Sequence, residues 1–360
     1  MSELFVVADG ERIGTLRERS DTRFEFEYDA SWLASPRRFA ISRSLPLRRD
    51  AFETEAERFF GNLLPEGGVR LAVCRRLGLS DENDFALLRA IGRECAGALS
   101  IVEDVGAARQ SSYRPIDDDE LERWASLGAY ASAVGGDLRL SLAGAQDKLG
   151  VRVDGDTLSL PESGAPSTHL LKLPNRDFAA LPQNEALVLE LARRLDLGVV
   201  ESRLWMRTST PLLLVTRFDR IDGTPIRRLH QEDFCQALAV DRRRKYEVEG
   251  GPSFARCLEL VRDTSDALSH SRRLLRWLVF CAVVGNRDNH AKNISFVRDD
   301  LGRWRLAPFY DLVCTTAYDR LSRRLAMSIG TRDHADNLPA SAWRDEAAAL
   351  GIKPKYLLAL

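Results

Sequence analysis

The sequence predicts an α+β chain, β-rich at its start and mainly helical towards its end. Three observations predict it. Short alternating apolar runs broken by turn residues fill the first third of the chain, the pattern of half-buried strands. Two compact apolar runs, Leu170-Leu171 and Leu212-Leu213-Leu214-Val215, stand in the middle. After residue 230 the apolar residues recur mostly at helical spacing. At 360 residues the chain is long enough for more than one core. Its 44% apolar and 29% charged residues are ordinary for a soluble globular protein. No stretch is long and apolar enough to span a membrane, and the N-terminus lacks a signal-peptide pattern, so a cytoplasmic address is expected. A net charge of −1 excludes a polyelectrolyte binder as a whole, although basic runs such as Arg242-Arg243-Arg244-Lys245 collect in the C-terminal half. The six cysteines show no C-x-x-C and no paired His, which fits small core hydrophobes better than zinc or disulfides.

Taken in order, Phe5-Val6-Val7 and the run from Arg12 to Leu16 flank Asp9-Gly10, a hairpin signal. Phe24, Phe26 and Tyr28 alternate as on a strand with one buried face. Helices are expected over 55–64, 69–77 (stopped by Gly78) and 84–91, with a returning strand over 97–102. Nothing in this unit has catalytic spacing. Residues 110–115 suggest a linker, and Asp117-Asp118-Asp119-Glu120 opens a helix, where acidic side chains suit the helix dipole. A strand over 168–174 precedes a helix that starts near Pro182, carries Leu187, Leu191 and Leu195 at spacing four, and ends at Gly198. The apolar strand at 212–215 runs into Thr216-Arg217-Phe218-Asp219-Arg220, and a helix is expected to begin within 229–236.

The most informative stretch is Gly285-Asn286-Arg287-Asp288-Asn289-His290-Ala291-Lys292-Asn293. Asp288 and Asn293 stand in D-x-x-x-x-N spacing, that of a protein-kinase catalytic loop, in which the Asp takes a hydroxyl proton and the Asn holds a metal ion. Upstream, Leu274, Leu275, Leu278, Val279, Ala282 and Val283 predict a buried helix feeding the loop. Downstream, strands at 294–297 and 304–306 around Asp299-Asp300-Leu301-Gly302 predict a hairpin. A hairpin joins its ends, so Asp311 should return beside Asn293, and two such oxygen donors suit Mg²⁺. His290, two positions after Asp288, reads as an orienting residue rather than a second base.

Three further stretches are compatible with nucleotide binding and equally with bland roles. Lys172 shares a strand face with Leu170 and Thr168, where a lysine needs a partner. Glu185, in the first turn of the next helix, could supply it, as in the kinase Lys–Glu pair; a surface lysine and a dipole-favoured Glu fit as well. Ser141-Leu142-Ala143-Gly144-Ala145-Gln146-Asp147-Lys148 is rich in small residues, which lets backbone approach phosphate. It matches neither standard glycine fingerprint and also fits a plain turn. Residues 216–219 suit a kinase hinge, with adenine on backbone and ribose on a carboxylate, or simply a charged turn.

In this order these motifs resemble those of the HipA-like serine/threonine kinases, toxin halves of bacterial toxin–antitoxin pairs. The likeness spans nearly the whole chain: Ala30-Ser31-Trp32-Leu33-Ala34-Ser35, Ser44-Leu45-Pro46-Leu47 and Phe59-Phe60-Gly61-Asn62-Leu63-Leu64-Pro65 are similar to the family's N-terminal subdomain. Residues 141–148, 169–174, Asn184-Glu185, 217–220, 231–233, 288–293 and Tyr310-Asp311 are similar to its later motifs. The resemblance implies a two-lobed atypical protein-kinase-like fold with an extra N-terminal β-rich subdomain: residues 1–110 that subdomain, 111–230 the kinase N-lobe, 231–360 the helical C-lobe. It implies ATP and Mg²⁺ as cofactors, Asp288 as catalytic base, and Asn293 and Asp311 on the metal. Lys172 would hold the phosphates and Glu185 would position it. Ser141, Ala143, Gly144, Ala145 and Gln146 would form the phosphate loop, with His290 also at the nucleotide site. Thr216 and Phe218 would meet adenine through backbone, and Asp219 the ribose.

The same resemblance implies autophosphorylation at Ser141, a protein substrate such as an aminoacyl-tRNA synthetase, a helix-turn-helix antitoxin dimer as partner, and DNA contacted through it. Thr216 departs from the glutamate common there. Alternatives in other classes are a small-molecule phosphotransferase and a nucleotide-binding pseudokinase in a DNA-bound repressor complex.

Overall fold

Asp9 and Gly10 both take positive φ (48° and 75°) and close a hairpin between Glu3–Ala8 and Glu11–Glu18, as the mirror-image turns favoured in hairpins require. This hairpin sits in a computed structural model that describes residues 2–19, 23–106, 112–127, 148–336 and 338–360. The described chain divides into two compact units, one of residues 1–183 and 201–232, the other of residues 184–200 and 233–360.

The first unit holds two sheets. Strands Phe24–Tyr28, Glu11–Glu18, Glu3–Ala8 and Ser100–Val102 lie side by side in that order. Phe24, Phe26 and Tyr28 point inward as their alternation predicts, onto Phe52, Phe59, Phe60 and Phe85. The helices Thr54–Gly61, Gly67–Leu77 and Asp84–Ile91 fall where expected, and Gly78 ends the second with φ +65°. The larger sheet orders Ser112–Pro115, Thr157–Glu162, Lys148–Asp154, His169–Lys172, Leu212–Thr216 and Ser202–Trp205. Its core is Leu149, Val151, Leu158, Leu171, Leu212 and Leu214. One correction arises here. Residues 112–115, expected as linker, form an edge strand, and Pro115 is tolerated because an edge position need not donate to the ladder.

In the second unit the helix Ala267–Val284 buries Leu274, Leu275, Trp277, Leu278 and Cys281, and Trp277 stacks on Phe309 at 5.6 Å. Arg273 and Arg276 of this helix donate to the carbonyls of Leu306 and Asp196. The hairpin Ser295–Arg298 with Trp304–Leu306 is present, Phe296 opposite Leu306. The helix expected within 229–236 is only Phe234–Ala237, capped by Asp233 and Gln236 reciprocally. Strands Arg324–Ile329 and Arg332–His334 replace part of the expected helix.

The helix expected from near Pro182 is present as Leu181–Arg194, with its leucine stripe facing outward. Leu187, Leu191 and Leu195 are 61%, 43% and 56% exposed, while Glu185, Val188, Leu189 and Ala192 are buried. The helix carries two adjacent stripes, and the buried one holds a carboxylate and an alanine, so its sequence is the less apolar of the two.

Five of the six thiols are buried, consistent with packing roles. Among the described residues no helix is long and apolar enough to cross a membrane.

Candidate active site

Gly285 ends the helix Ala267–Val284 with φ +73°, and a side chain there would collide with Thr316 Oγ1 at 2.3 Å. Glycine is therefore required both for the turn and for the close approach. The chain then enters the loop 286–293. The Asp288 N–H donates to Asn286 Oδ1 at 3.0 Å, and Asn293 Nδ2 donates to the Asp288 carbonyl at 2.9 Å. The D-x-x-x-x-N spacing thus closes a small ring in which Asp288 is fixed on both sides. Asn293 is buried, whereas the Asp288 side chain keeps 47% exposure. A base that must reach a docking hydroxyl needs that access.

The return of Asp311 comes from named contacts. Tyr310 is half-buried, and its hydroxyl donates to the Lys292 carbonyl at 2.9 Å and meets Ser295 Oγ at 2.6 Å. Burial, with Asp233 and then Asp311 nearby, pushes the Tyr310 phenol well above its usual value. Further on, Thr315 Oγ1 donates to the Gly285 carbonyl and accepts from the Arg287 N–H. The segment carrying Asp311 is therefore stapled to residues 285–292 on both sides of that residue. Asp311 itself has φ +58°, an uncommon conformation that aspartate tolerates better than most residues.

Asn293 and Asp311 offer oxygen donors only. With its Nδ2 committed to Asp288, Asn293 is left with Oδ1 as a ligand atom. This donor set fits Mg²⁺, which completes its shell with water and substrate phosphates rather than a protein cage. Among the described residues no cluster of three or more His, Cys, Asp or Glu could hold a metal, and such a phosphate-completed site does not need one.

His290 is buried, with Nε2 3.7 Å from Asp288 Oδ1, and its ring meets Tyr246 edge-on. Glu185 is fully buried on its helix. Its neighbour Asn184 exchanges two hydrogen bonds with the Cys314 backbone, at 3.1 and 2.9 Å, which ties that helix to the segment after Asp311.

The remaining predicted residues lie in the first unit or outside the described chain. Lys172 is buried at 4% exposure on its strand, paired in register with Leu213 on one side and Lys148 on the other. The Thr216 N–H is spent on the Glu201 carbonyl, so any adenine contact there would use the Thr216 carbonyl. Phe218 is half-buried.

Asp219, expected at the ribose, is instead closed off. Its carboxylate accepts from both arms of Arg217 (3.0 and 2.8 Å), from Arg220 and from the Gly97 N–H, and only 2% of the residue is exposed. Glu94 completes this buried cluster by accepting from Arg217 and Ser167. Burial alone would raise the Asp219 carboxyl; Arg217 and Arg220 outweigh it and hold it well below the carboxylate range. Each carboxylate oxygen is engaged by a protein group. Ser141, Ala143, Gly144, Ala145 and Gln146 lie outside the described residues.

Sequence reasoning missed Thr315 and Tyr246. The Tyr246 hydroxyl donates to Asp288 Oδ1 at 2.6 Å. The Asn184-Glu185 pair was visible in the sequence, but nothing in the sequence marked Tyr246 or Thr315.

With this geometry in view, the likeness to known proteins is informative. Residues 4–102 match the family model described as the HipA N-terminal domain, and residues 140–359 match the HipA-like C-terminal domain. The chain is 39% identical to the Sinorhizobium fredii protein Y4mE over 96% of its own length and 84% of that protein's. It is 31% identical to the serine/threonine-protein kinase toxin HipA of Shewanella oneidensis, over 93% of this chain and 80% of that one. A solved complex of Shewanella oneidensis HipA, HipB and operator DNA contains a chain that superposes with a TM-score of 0.87 at 28% identity, covering 99% of this chain and 86% of the other. Both halves match in order and a relative above 30% identity is covered almost throughout, so the chain belongs to the HipA family and has its mixed helix-and-sheet fold.

Proposed function

We propose that the chain is an ATP-dependent serine/threonine protein kinase. The observation that carries the reading is the arrangement of Asp288: an accessible carboxylate on a backbone locked by Asn286 and Asn293, with the Asp311 segment tied alongside through Tyr310 and Thr315. Asp288 accepts the proton of the acceptor hydroxyl as its oxygen attacks the γ-phosphorus, the bond to the β,γ-bridging oxygen breaks and ADP leaves. Asn293 and Asp311 hold Mg²⁺, which when bound neutralises charge on the phosphates. Lys172 takes phosphate oxygens; its burial on an apolar strand is tolerable only with such a partner or a carboxylate, and Glu185 is the carboxylate proposed. Thr216 and Phe218 meet adenine through backbone, and His290 borders the nucleotide site. Phosphoryl transfer asks little covalent chemistry of a protein, so positioning and charge neutralisation account for the catalysis.

Residues 141–146 form the phosphate loop in this reading, and Ser141 is a site of self-phosphorylation that silences the kinase. The acceptor is a protein, with an aminoacyl-tRNA synthetase as the first candidate. The chain acts as a toxin in the cytoplasm. The Shewanella oneidensis relative was solved with HipB and operator DNA, which supports a helix-turn-helix antitoxin as partner and DNA contacted through it. Incubation of the purified chain with labelled ATP, Mg²⁺ and a cell lysate tests the reading. Label is expected on Ser141 and on a discrete lysate protein. Turnover of a metabolite with no labelled protein would overturn it in favour of a small-molecule phosphotransferase.

A further inference from the structure

Of the groups around Asp288, one has no place in the reading above. Tyr246 comes from a loop more than forty residues upstream, yet its phenol donates to Asp288 Oδ1 at 2.6 Å. The phenol ring stands edge-on to His290, centroids 5.4 Å apart and planes at 76°. The loop that carries it is built tightly. Asp241 caps the turn Arg242–Arg244, and the Gly251 N–H donates to the Tyr246 carbonyl at 2.9 Å. A Cβ on Gly251 would lie 2.3 Å from the Arg244 carbonyl and 2.6 Å from that of Tyr246. The next residue, Glu247, accepts from the Ser328 N–H at 2.6 Å, anchoring the loop to a strand. Tyr246 is thus delivered from a fixed backbone rather than swung in on a mobile one.

A carboxylate has two oxygens with different environments here. Oδ1 accepts from Tyr246 and faces His290 Nε2 at 3.7 Å. Both side-chain contacts of Asp288 within the described residues fall on Oδ1, and the side chain is 47% exposed. Backbone bonds to Asn286 and Asn293 fix where the side chain starts, but they leave its χ angles undetermined. The phenol supplies the missing constraint. Resting on the kinase reading above, we infer that Tyr246 is a positioning residue: it anchors Oδ1 of Asp288 so that Oδ2 is the oxygen presented to the acceptor hydroxyl.

The test compares wild type, Tyr246→Phe, Asp288→Asn and the double variant in single-turnover incorporation of labelled phosphate from ATP·Mg²⁺ into the full chain. Tyr246→Phe removes one oxygen and leaves the ring against His290. Its rate constant at saturating ATP is expected to fall about tenfold, the rate equivalent of one ordinary hydrogen bond. The half-saturating ATP concentration and the melting temperature stay at wild-type values. In the Asp288→Asn background the Tyr246 substitution costs nothing more, since the two act as a unit. A Tyr246→Phe rate equal to wild type overturns the proposal. So does a faster rate, which would make the phenol an occupant of the acceptor position, and so does a loss that multiplies with that of Asp288→Asn. A wild-type chain that incorporates no phosphate at all sinks the kinase reading and this inference together.

Discussion

Asp219 shows how a single residue's surroundings set its charge. Its place after Thr216-Arg217-Phe218 suits a ribose contact, but the structure spends both oxygens on Arg217, Arg220 and the Gly97 amide. The sign of its pH dependence follows. Its folded-state pKa, like that of Glu94, lies below the ordinary carboxylate value because the guanidinium groups outweigh burial. The cluster's stabilisation is therefore complete above about pH 4, where unfolded carboxylates are ionised, and is lost as pH falls through the lower folded values. Asp219→Asn leaves buried arginine charge uncompensated and should cost about 3–5 kcal/mol while flattening that acid limb. Thermal unfolding of both chains from pH 7 down to pH 3 measures it. A variant with wild-type stability and weakened ATP binding would restore the ribose role. By contrast Lys172 was legible residue by residue: strand alternation put it on the inward face, and it is buried there. The closure of Asp219 was not, because the Gly97 amide that binds it, and Glu94, the second carboxylate on Arg217, lie more than a hundred residues away, and such pairings leave no local pattern.

At the scale of elements, the reading succeeded where one short segment carries its own signal. The Asp9-Gly10 hairpin, the helix 84–91 and the hairpin after Asn293 all fall as predicted. It found the helix Leu181–Arg194 but not which face is buried, because two apolar stripes compete there and only tertiary packing chooses between them. The choice is measurable. Leu189→Ala, at a residue 2% exposed, should destabilise the chain by about 2–5 kcal/mol. Leu191→Ala, at the exposed stripe, should stay within about 0.5 kcal/mol. Denaturant unfolding of the two variants tests the assignment, and equal losses would contradict it. The same element shows what a local pattern leaves out. Asn184 was visible as part of the Asn184-Glu185 motif, but its hydrogen bonds to the backbone of Cys314, well over a hundred residues on, were not.

For the molecule as a whole, the catalytic spacing was visible and its support was not. D-x-x-x-x-N is a statement about five consecutive peptide units, so it survives in sequence; the staples through Tyr310, Thr315 and Tyr246 join segments that only folding brings together. Family membership agrees with the order of the motifs along the chain. Whether the exposed carboxylate of Asp288 acts as the base of the proposed kinase is a chemical question. The most direct measurement is the phosphotransfer rate of Asp288→Asn against wild type, with ATP affinity determined in parallel by calorimetry. The account predicts a loss of at least about a hundredfold, the usual scale for removing a general base, with ATP affinity unchanged. Turnover near the wild-type rate in that variant would contradict it.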